Sequence, residues 1–300
     1  LWIQSYCDLC DTPQDDDTLV IIVHGYLEDQ QKWNPFRGVL LNEGFHVGGI
    51  DFPSHGKSEG RVAMCSDIRE WTRTLVQYID LLVNGQIHGK VFNKFIFFGH
   101  LFGGFTLLNM CLFESNLLAK YDIVQFILSS PTCYDLEPST FESILSLFPS
   151  EVSMPTRYMW SFLSYEDTNI FKAQRANDPL MRDWCRMLSF QKEVHDQSAK
   201  FHDLLDSEIH TIINNIGYDT KFTFIKTTNT IITNADAIWR IADKLAVAIP
   251  FTNVTKLDWT VKNHTWPWVV GRDISFERIA KNIREALTDY SSGVEPEPEP

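Results

Sequence analysis

The sequence predicts an α/β fold, a doubly wound and mostly parallel sheet with an inserted helical cap. Three observations predict it. Short β-branched or aromatic apolar runs such as "LVIIV", "FIFF" and "IVQFIL" read as strands buried on both faces. Stretches with apolar residues at helical spacing separate them, and strands alternating with helices build a parallel sheet. One helical stretch rich in Phe, Met and Trp, from about Tyr134 to Ile216, breaks the alternation between two sheet strands.

Each element has its own signal. Leu19–Val23 is a strand ending at His24-Gly25, and His46–Asp51 is the next. Between them Trp33, Phe36, Val39 and Leu40 recur at helical spacing and stop at Gly44, a C-cap residue. A second helix spans Ser66–Val83, with Ile68, Trp71, Leu75, Ile79 and Leu82 on one face and Ser66 or Asp67 as N-cap. "YDIVQFILSSP", "KFTFIKTTN" and "NVTKLDWTV" are later strands, and Ala235–Leu245 and Phe276–Leu287 are helices beside them. The chain therefore divides into a first core part (1–133), a helical cap (134–216), a second core part (217–290) and an acidic Pro/Glu tail (291–300) expected to be disordered. Insertions on the carboxyl side of such a sheet cover the crevice where ligands bind.

Composition narrows the function classes. The 300 residues are 44% hydrophobic and 22% charged, enough apolar material for a large core. A net charge of -13 is the wrong sign for a nucleic-acid partner, which requires clustered Lys and Arg. No run of about 18 apolar residues is present, so no transmembrane segment is expected. No signal-peptide pattern stands at Leu1, and since the chain does not start with Met this carries no reading of any precursor. The cytoplasm is the default compartment, with sequons at Asn253 and Asn263 leaving localisation open.

Six cysteines (Cys7, Cys10, Cys65, Cys111, Cys133, Cys185) are too scattered for a disulfide scaffold. Cys7 and Cys10 form a lone C-x-x-C without the second pair or flanking histidines of a zinc site, so free thiols are expected. No H-E-x-x-H or comparable spacing calls for a metal, and no cofactor is expected.

"FIFFGHLFGGFTLLNM", Phe95–Met110, runs from a strand through Gly-His, one central residue and Gly-Gly into a helix. That is the shape of a nucleophile elbow, a turn that exposes a serine hydroxyl. Here the central residue is Leu101.

Further pieces agree with it. "VIIVHGYLED" resembles an oxyanion strand with its His-Gly turn, and "GIDFPSHGKSEG" resembles a D-x-x-G-H-G-x-S-x-G stretch. "GHLFGG" stands where G-H-S-x-G-G is expected, and "NDPL" at Asn177–Leu180 resembles a cap element. Together they make the chain similar to the α/β-hydrolases of the monoacylglycerol lipase and lysophospholipase-like branch, also described as serine aminopeptidase-like. Pro53-Ser54 before His55-Gly56 departs from that pattern.

The resemblance implies a triad and an oxyanion hole, and it places them residue by residue. The nucleophile position is Leu101, which has no hydroxyl. The acid position, in "TTNTIITNADA", is Asn229, which can hydrogen-bond a histidine but cannot neutralise an imidazolium. In a well-studied serine protease Asp→Asn at that role lowers turnover by about four orders of magnitude. The histidine position is His264 in "VKNHTWPW". Cys133, Asp135 and Asp236 are the substitutes within reach in sequence, and none replaces the elbow hydroxyl. The oxyanion donors would be the backbone N–H groups of Tyr26 and Phe102, which survive side-chain replacement. His24, His55 and His100 are structural histidines by the same resemblance.

Leucine gains no catalytic return for the strain of an elbow, so the turn is expected to relax, with the side chain filling the crevice where an acyl carbonyl would approach. Gly25, Gly99, Gly103 and Gly104 serve either a binding turn or tight strand–helix packing. Two independent replacements, Leu101 and Asn229, point to drift rather than an engineered knock-out. The expectation is a catalytically inactive, lipase-like pseudoenzyme acting as a structural or protein-interaction module within a larger assembly. An apolar pocket binding a fatty acyl chain or monoglyceride is the alternative, motivated by "MPTRYMWSFLSY". Ester hydrolysis through an unconventional nucleophile is the third reading.

Overall fold

The computed structural model describes residues 2–60, 67–133, 154–155, 184–185, 187–227, 235–250, 253–259 and 272–292. Seven strands form one sheet in the order β1-β3-β2-β4-β5-β8-β9. They are β1 (Ser5–Asp8), β2 (Thr18–Val23), β3 (His46–Ile50), β4 (Lys94–His100), β5 (Asp122–Ser129), β8 (Lys221–Lys226) and β9 (Val254–Asp258). The two-residue strands β6 (Met154–Pro155) and β7 (Trp184–Cys185) pair separately and antiparallel. Every pairing in the main sheet is parallel except β1 with β3. The expected doubly wound, mostly parallel sheet is therefore present.

Alternation along the strands sorts the apolar residues into two cores, because successive side chains point to opposite faces. Leu19, Ile21, Val23, Phe95 and Phe97 face one core; Val20, Ile22, Ile96 and Phe98 face the other. The first core is closed by α2 (Ile68–Val83), α3 (Phe102–Phe113), α4 (Ser115–Leu118), α5 (Met187–Ser207), α6 (Ile209–Ile216) and α7 (Ala235–Ala248). The second is closed by α1 (Asn34–Asn42) and α8 (Arg272–Ser292), where Phe36 stacks on Phe276 with centroids 4.8 Å apart. Helices on both faces are what a sheet with apolar residues at every position demands.

Local signals place the helix ends. Asp67 caps α2 by accepting from Arg69 N at 2.9 Å. Gly44 ends the α1 region at φ 85°, a left-handed conformation that costs glycine little. A bulge between Phe95 and Ile96 shifts the β4–β5 register, which turns Gln125 toward α8, where its Nε2 donates to Asn282 Oδ1 at 2.8 Å.

The stretch read as a cap, 134–216, supplies α5 and α6, and these lie in the first core: Phe201 meets Phe105 and Phe113 of α3 at 5.4 and 5.8 Å. Helix α8 continues through Ser292, two residues into the stretch read as tail. "NDPL" and the remainder of the Pro/Glu tail lie outside the described residues.

Candidate functional site

The carboxyl ends of β2, β3, β4 and β5 meet at one edge of the sheet, and the elbow sits there. Strand β4 ends at His100, and α3 begins at Phe102, leaving Leu101 alone in the turn. Leu101 has φ 49° and ψ -116°. The expected relaxation has not occurred: the turn keeps the positive φ of a nucleophile elbow with a leucine in it. Such a conformation costs about 1–3 kcal/mol and persists only where the surroundings over-determine it.

The surroundings do so. Leu101 N–H donates to Ser129 O at 2.9 Å, while Leu101 O accepts from Phe105 N at 3.0 Å and Thr132 N at 3.2 Å. The glycines complete the constraint. A Cβ on Gly99 would lie 2.7 Å from the backbone of Gly103 and Gly104, and one on Gly103 would lie 2.9 Å from His24 O and closer still to Val23 O. Strand β2, strand β4 and helix α3 thus approach too closely for the turn to open. Close packing by itself accounts for the persistence of Gly99, Gly103 and Gly104. Three neighbours share positive φ at the same edge, Leu27 (62°), Ser54 (70°) and Ser130 (45°).

Around the elbow lies an aromatic cluster. Trp71 stacks on Phe52 at 4.1 Å and meets Phe102 at 4.8 Å, His55 at 5.0 Å and His24 at 5.6 Å. Tyr26 meets His55 at 5.4 Å and Phe102 at 6.1 Å, so the two residues assigned to the oxyanion hole are neighbours. Trp71 is fully buried and its Nε1 has no hydrogen-bond partner among the described residues.

The histidines have structural work to do. His24 uses both ring nitrogens: Nδ1 bonds Gly25 O at 2.8 Å, and Nε2 accepts from Phe52 N at 3.0 Å. Burial lowers its pKa to about 3, so the ring is neutral. His55 Nδ1 lies 3.0 Å from Pro53 O, and His100 Nδ1 lies 3.0 Å from Ser129 Oγ. Among the described residues no group of three His, Cys, Asp or Glu is placed to hold a metal. No helix among them is long and apolar enough to cross a membrane.

The substitutes fare differently from one another. Cys133 is fully buried, and desolvation pushes its thiol well above the ordinary cysteine range, which suppresses the thiolate that nucleophilic attack requires. Ser129 and Ser130 are buried and engaged with His100 and Thr227. Asp236, in the first turn of α7, pairs at 3.7 Å with Lys226 and is largely exposed. Asp135, Asn229 and His264 lie outside the described residues. Cys7 and Cys10 are free thiols: Cys7 lies in β1, and Cys10 donates its N–H to His46 Nδ1 at 2.9 Å.

Glu28 is the residue that sequence reasoning missed. It is buried, and its Oε2 accepts from Gly25 N at 2.8 Å and Trp33 Nε1 at 3.2 Å. Only the fold shows this carboxyl turning back under the His-Gly turn. Burial raises its pKa from 4.5 to about 7, against the opposing effect of Lys32. A folded-state pKa above the unfolded one contributes stability below about pH 4.5 that is lost as pH rises to about 7. Above that, the buried charge costs about 3 kcal/mol. Glu28→Gln removes the ionisation, so urea titrations should show the variant gaining stability over wild type by roughly that amount between pH 5 and pH 8.

Comparison with known proteins agrees with this architecture. The serine aminopeptidase (S33) family pattern matches residues 14–204, well over half of the chain. No curated protein sequence matches. Among solved structures, the monoacylglycerol lipase of Paleococcus ferrophilus is similar, with a TM-score of 0.68, 18% identity and coverage of 95% of this chain and 100% of that one. A soluble variant of monoglyceride lipase from Saccharomyces cerevisiae, in complex with a substrate analogue, gives 0.69 at 15% identity, covering 95% and 92%. A thermostable carboxyl esterase from Bacillus coagulans, in complex with glycerol, gives 0.63 at 15% identity, covering 96% and 94%. With its elbow, its His-Gly turn and this match, the chain belongs to the serine aminopeptidase (S33) family and has a lipase- and esterase-like α/β-hydrolase fold.

Proposed function

We propose that the chain is a catalytically silent α/β-hydrolase, a pseudoenzyme serving as a structural or protein-interaction module. One observation carries the reading: the elbow holds a leucine in the position and backbone conformation that a nucleophile would need. Acyl transfer requires a hydroxyl or thiol there and a base to take its proton. Cys133, buried and protonated, supports the same reading. So does the packing of Gly99 and Gly103, because it explains the persistence of the turn without a reaction to preserve it.

The division into a core of 1–133 and 217–290 around an inserted 134–216 belongs to this proposal. A second reading is binding of a fatty acyl chain or monoglyceride without turnover. The aromatic cluster of Tyr26, Phe102 and Trp71 beside Leu101 favours it, as does the substrate analogue bound to the yeast lipase.

A fluorophosphonate probe, which phosphonylates activated serines, tests the proposal. The expected result is no covalent adduct on the wild-type protein by intact mass. A stoichiometric adduct would overturn the silent reading and, by peptide mapping, would name the nucleophile. Solvent extraction of the same preparation, read by mass spectrometry, addresses the second reading, which predicts co-purified acyl lipid.

A further inference from the structure

Trp71 stands among the rings around the elbow with a donor that its neighbours leave unused. The indole is fully buried, and its Nε1 has no hydrogen-bond partner among the described residues. Phe52 covers one face, 4.1 Å away and 5° from parallel. Phe102, His55 and His24 stand crosswise to it at 4.8, 5.0 and 5.6 Å, with interplanar angles of 73°, 85° and 65°. The face of an aromatic ring accepts a hydrogen bond only weakly. A buried donor in that state is costly, and the cost is recovered when a true acceptor reaches it.

Packing alone does not call for that donor. Trp71 continues the apolar face of α2 set by Ile68, Leu75, Ile79 and Leu82, where a phenylalanine would fill the stripe without an N–H to satisfy. Its place ties the donor to the crevice. Trp71 touches Phe102 and His55, and Tyr26 touches the same two rings at 6.1 and 5.4 Å. Tyr26 and Leu101 are half-buried whereas Trp71, Phe52 and Phe102 are buried, so the indole lies one ring in from the surface.

The surroundings narrow the acceptor. His24 is neutral, Phe52 and Phe102 carry no charge, and Glu28 sets a carboxyl under the adjoining turn. A carboxylate brought here would give up its hydration beside apolar rings and a second carboxyl, a costly exchange, whereas an ester carbonyl gives up far less.

Resting on the acyl-binding reading above, we propose that the Trp71 indole N–H is the hydrogen-bond donor to the carbonyl oxygen of a neutral acyl ester held in the crevice. The acyl chain lies against Leu101, and the half-buried Tyr26 ring swings outward to admit the carbonyl between itself and Phe102. The same surroundings select the ester over the free fatty acid anion.

The test is calorimetry and indole NMR on the full chain with monodecanoylglycerol, with decyl glyceryl ether, which lacks the carbonyl, and with decanoate. The wild type should bind the ester about tenfold more tightly than the ether, the worth of one hydrogen bond to a buried donor. The Trp71 Nε1–H resonance, assigned through its ring contacts, should move downfield on saturation with the ester and not with the ether. Trp71→Phe, which keeps a ring and removes the donor, should bind ester and ether alike, and decanoate should bind the wild type more weakly than the ester. An ester preference that persists in Trp71→Phe, or an indole resonance that the ester leaves unmoved, overturns the proposal. Decanoate binding more tightly than the ester overturns the choice of a neutral ligand. Should the variant not fold, the wild type decides: equal affinity for ester and ether overturns the proposal. Failure of every probe to bind overturns the acyl-binding reading itself, an outcome distinct from binding that bypasses the indole.

Discussion

Leu101→Ser combined with Asn229→Asp is expected to raise aryl-ester turnover above wild type by about three to four orders of magnitude. The elbow makes this possible, because Leu101 already has φ 49° and ψ -116°, and a serine would enter the conformation a nucleophile uses without remodelling β4 or α3. Its hydroxyl would stand beside the backbone N–H of Phe102, the first residue of α3, where the helix dipole favours a developing oxyanion. Leu101→Ser alone should give far less. The resemblance puts Asn229 at the acid position, where an asparagine would leave the imidazolium without a counter-charge, and in a well-studied serine protease that single change lowers turnover by about 10⁴. Steady-state rates of both variants beside wild type check the order. A double variant that folds but stays at background would mean that the loss extends beyond these two residues.

Gly103→Ala should unfold the site from beneath. The added Cβ would lie 2.8 Å from Val23 C and 2.9 Å from His24 O, and nearer still to Val23 O, so it meets only backbone at the end of strand β2 and the turn after it. No flexible side chain is available to move aside. Overpacking of that kind costs about 3 kcal/mol, which for a chain of this size is a fall in Tm of roughly 5 °C. Gly38→Ala is the internal control. It adds a Cβ in the interior of α1 with nothing within 4 Å, and replacing a helical glycine there should stabilise by up to about 1 kcal/mol. Thermal unfolding of the pair should therefore move in opposite directions. A Gly103→Ala protein as stable as wild type would show that the β2–α3 contact can relax and that packing does not hold the elbow.

Most of the sheet was legible because its strands are buried on both faces and so carry uninterrupted apolar runs, as Leu19–Val23 and Phe95–Phe98 do. Helix α2 was legible from its spacing and from the Asp67 cap. Strand β1 was not, since only Cys7 of Ser5–Asp8 is buried and the strand exists through its antiparallel pairing with β3. The apolar pattern of 187–216 announced helices without saying which surface they cover, and α5 and α6 contribute Phe201, Leu205, Ile212 and Ile213 to the first core. The elbow's spacing was readable as a motif, but its refusal to relax was not. That depends on contacts between Gly103 and β2, some 80 residues earlier in the chain. Glu28 was invisible for a similar reason: a carboxylate in "HGYLED" gives no sign that it will be buried against Gly25.

If the hydrolase scaffold is catalytically silent as proposed, turnover of an activated aryl ester and of a monoacylglycerol by the purified protein, measured beside His264→Ala, should stay at the uncatalysed background for both proteins with both substrates. Turnover by the wild type that His264→Ala abolishes would contradict it.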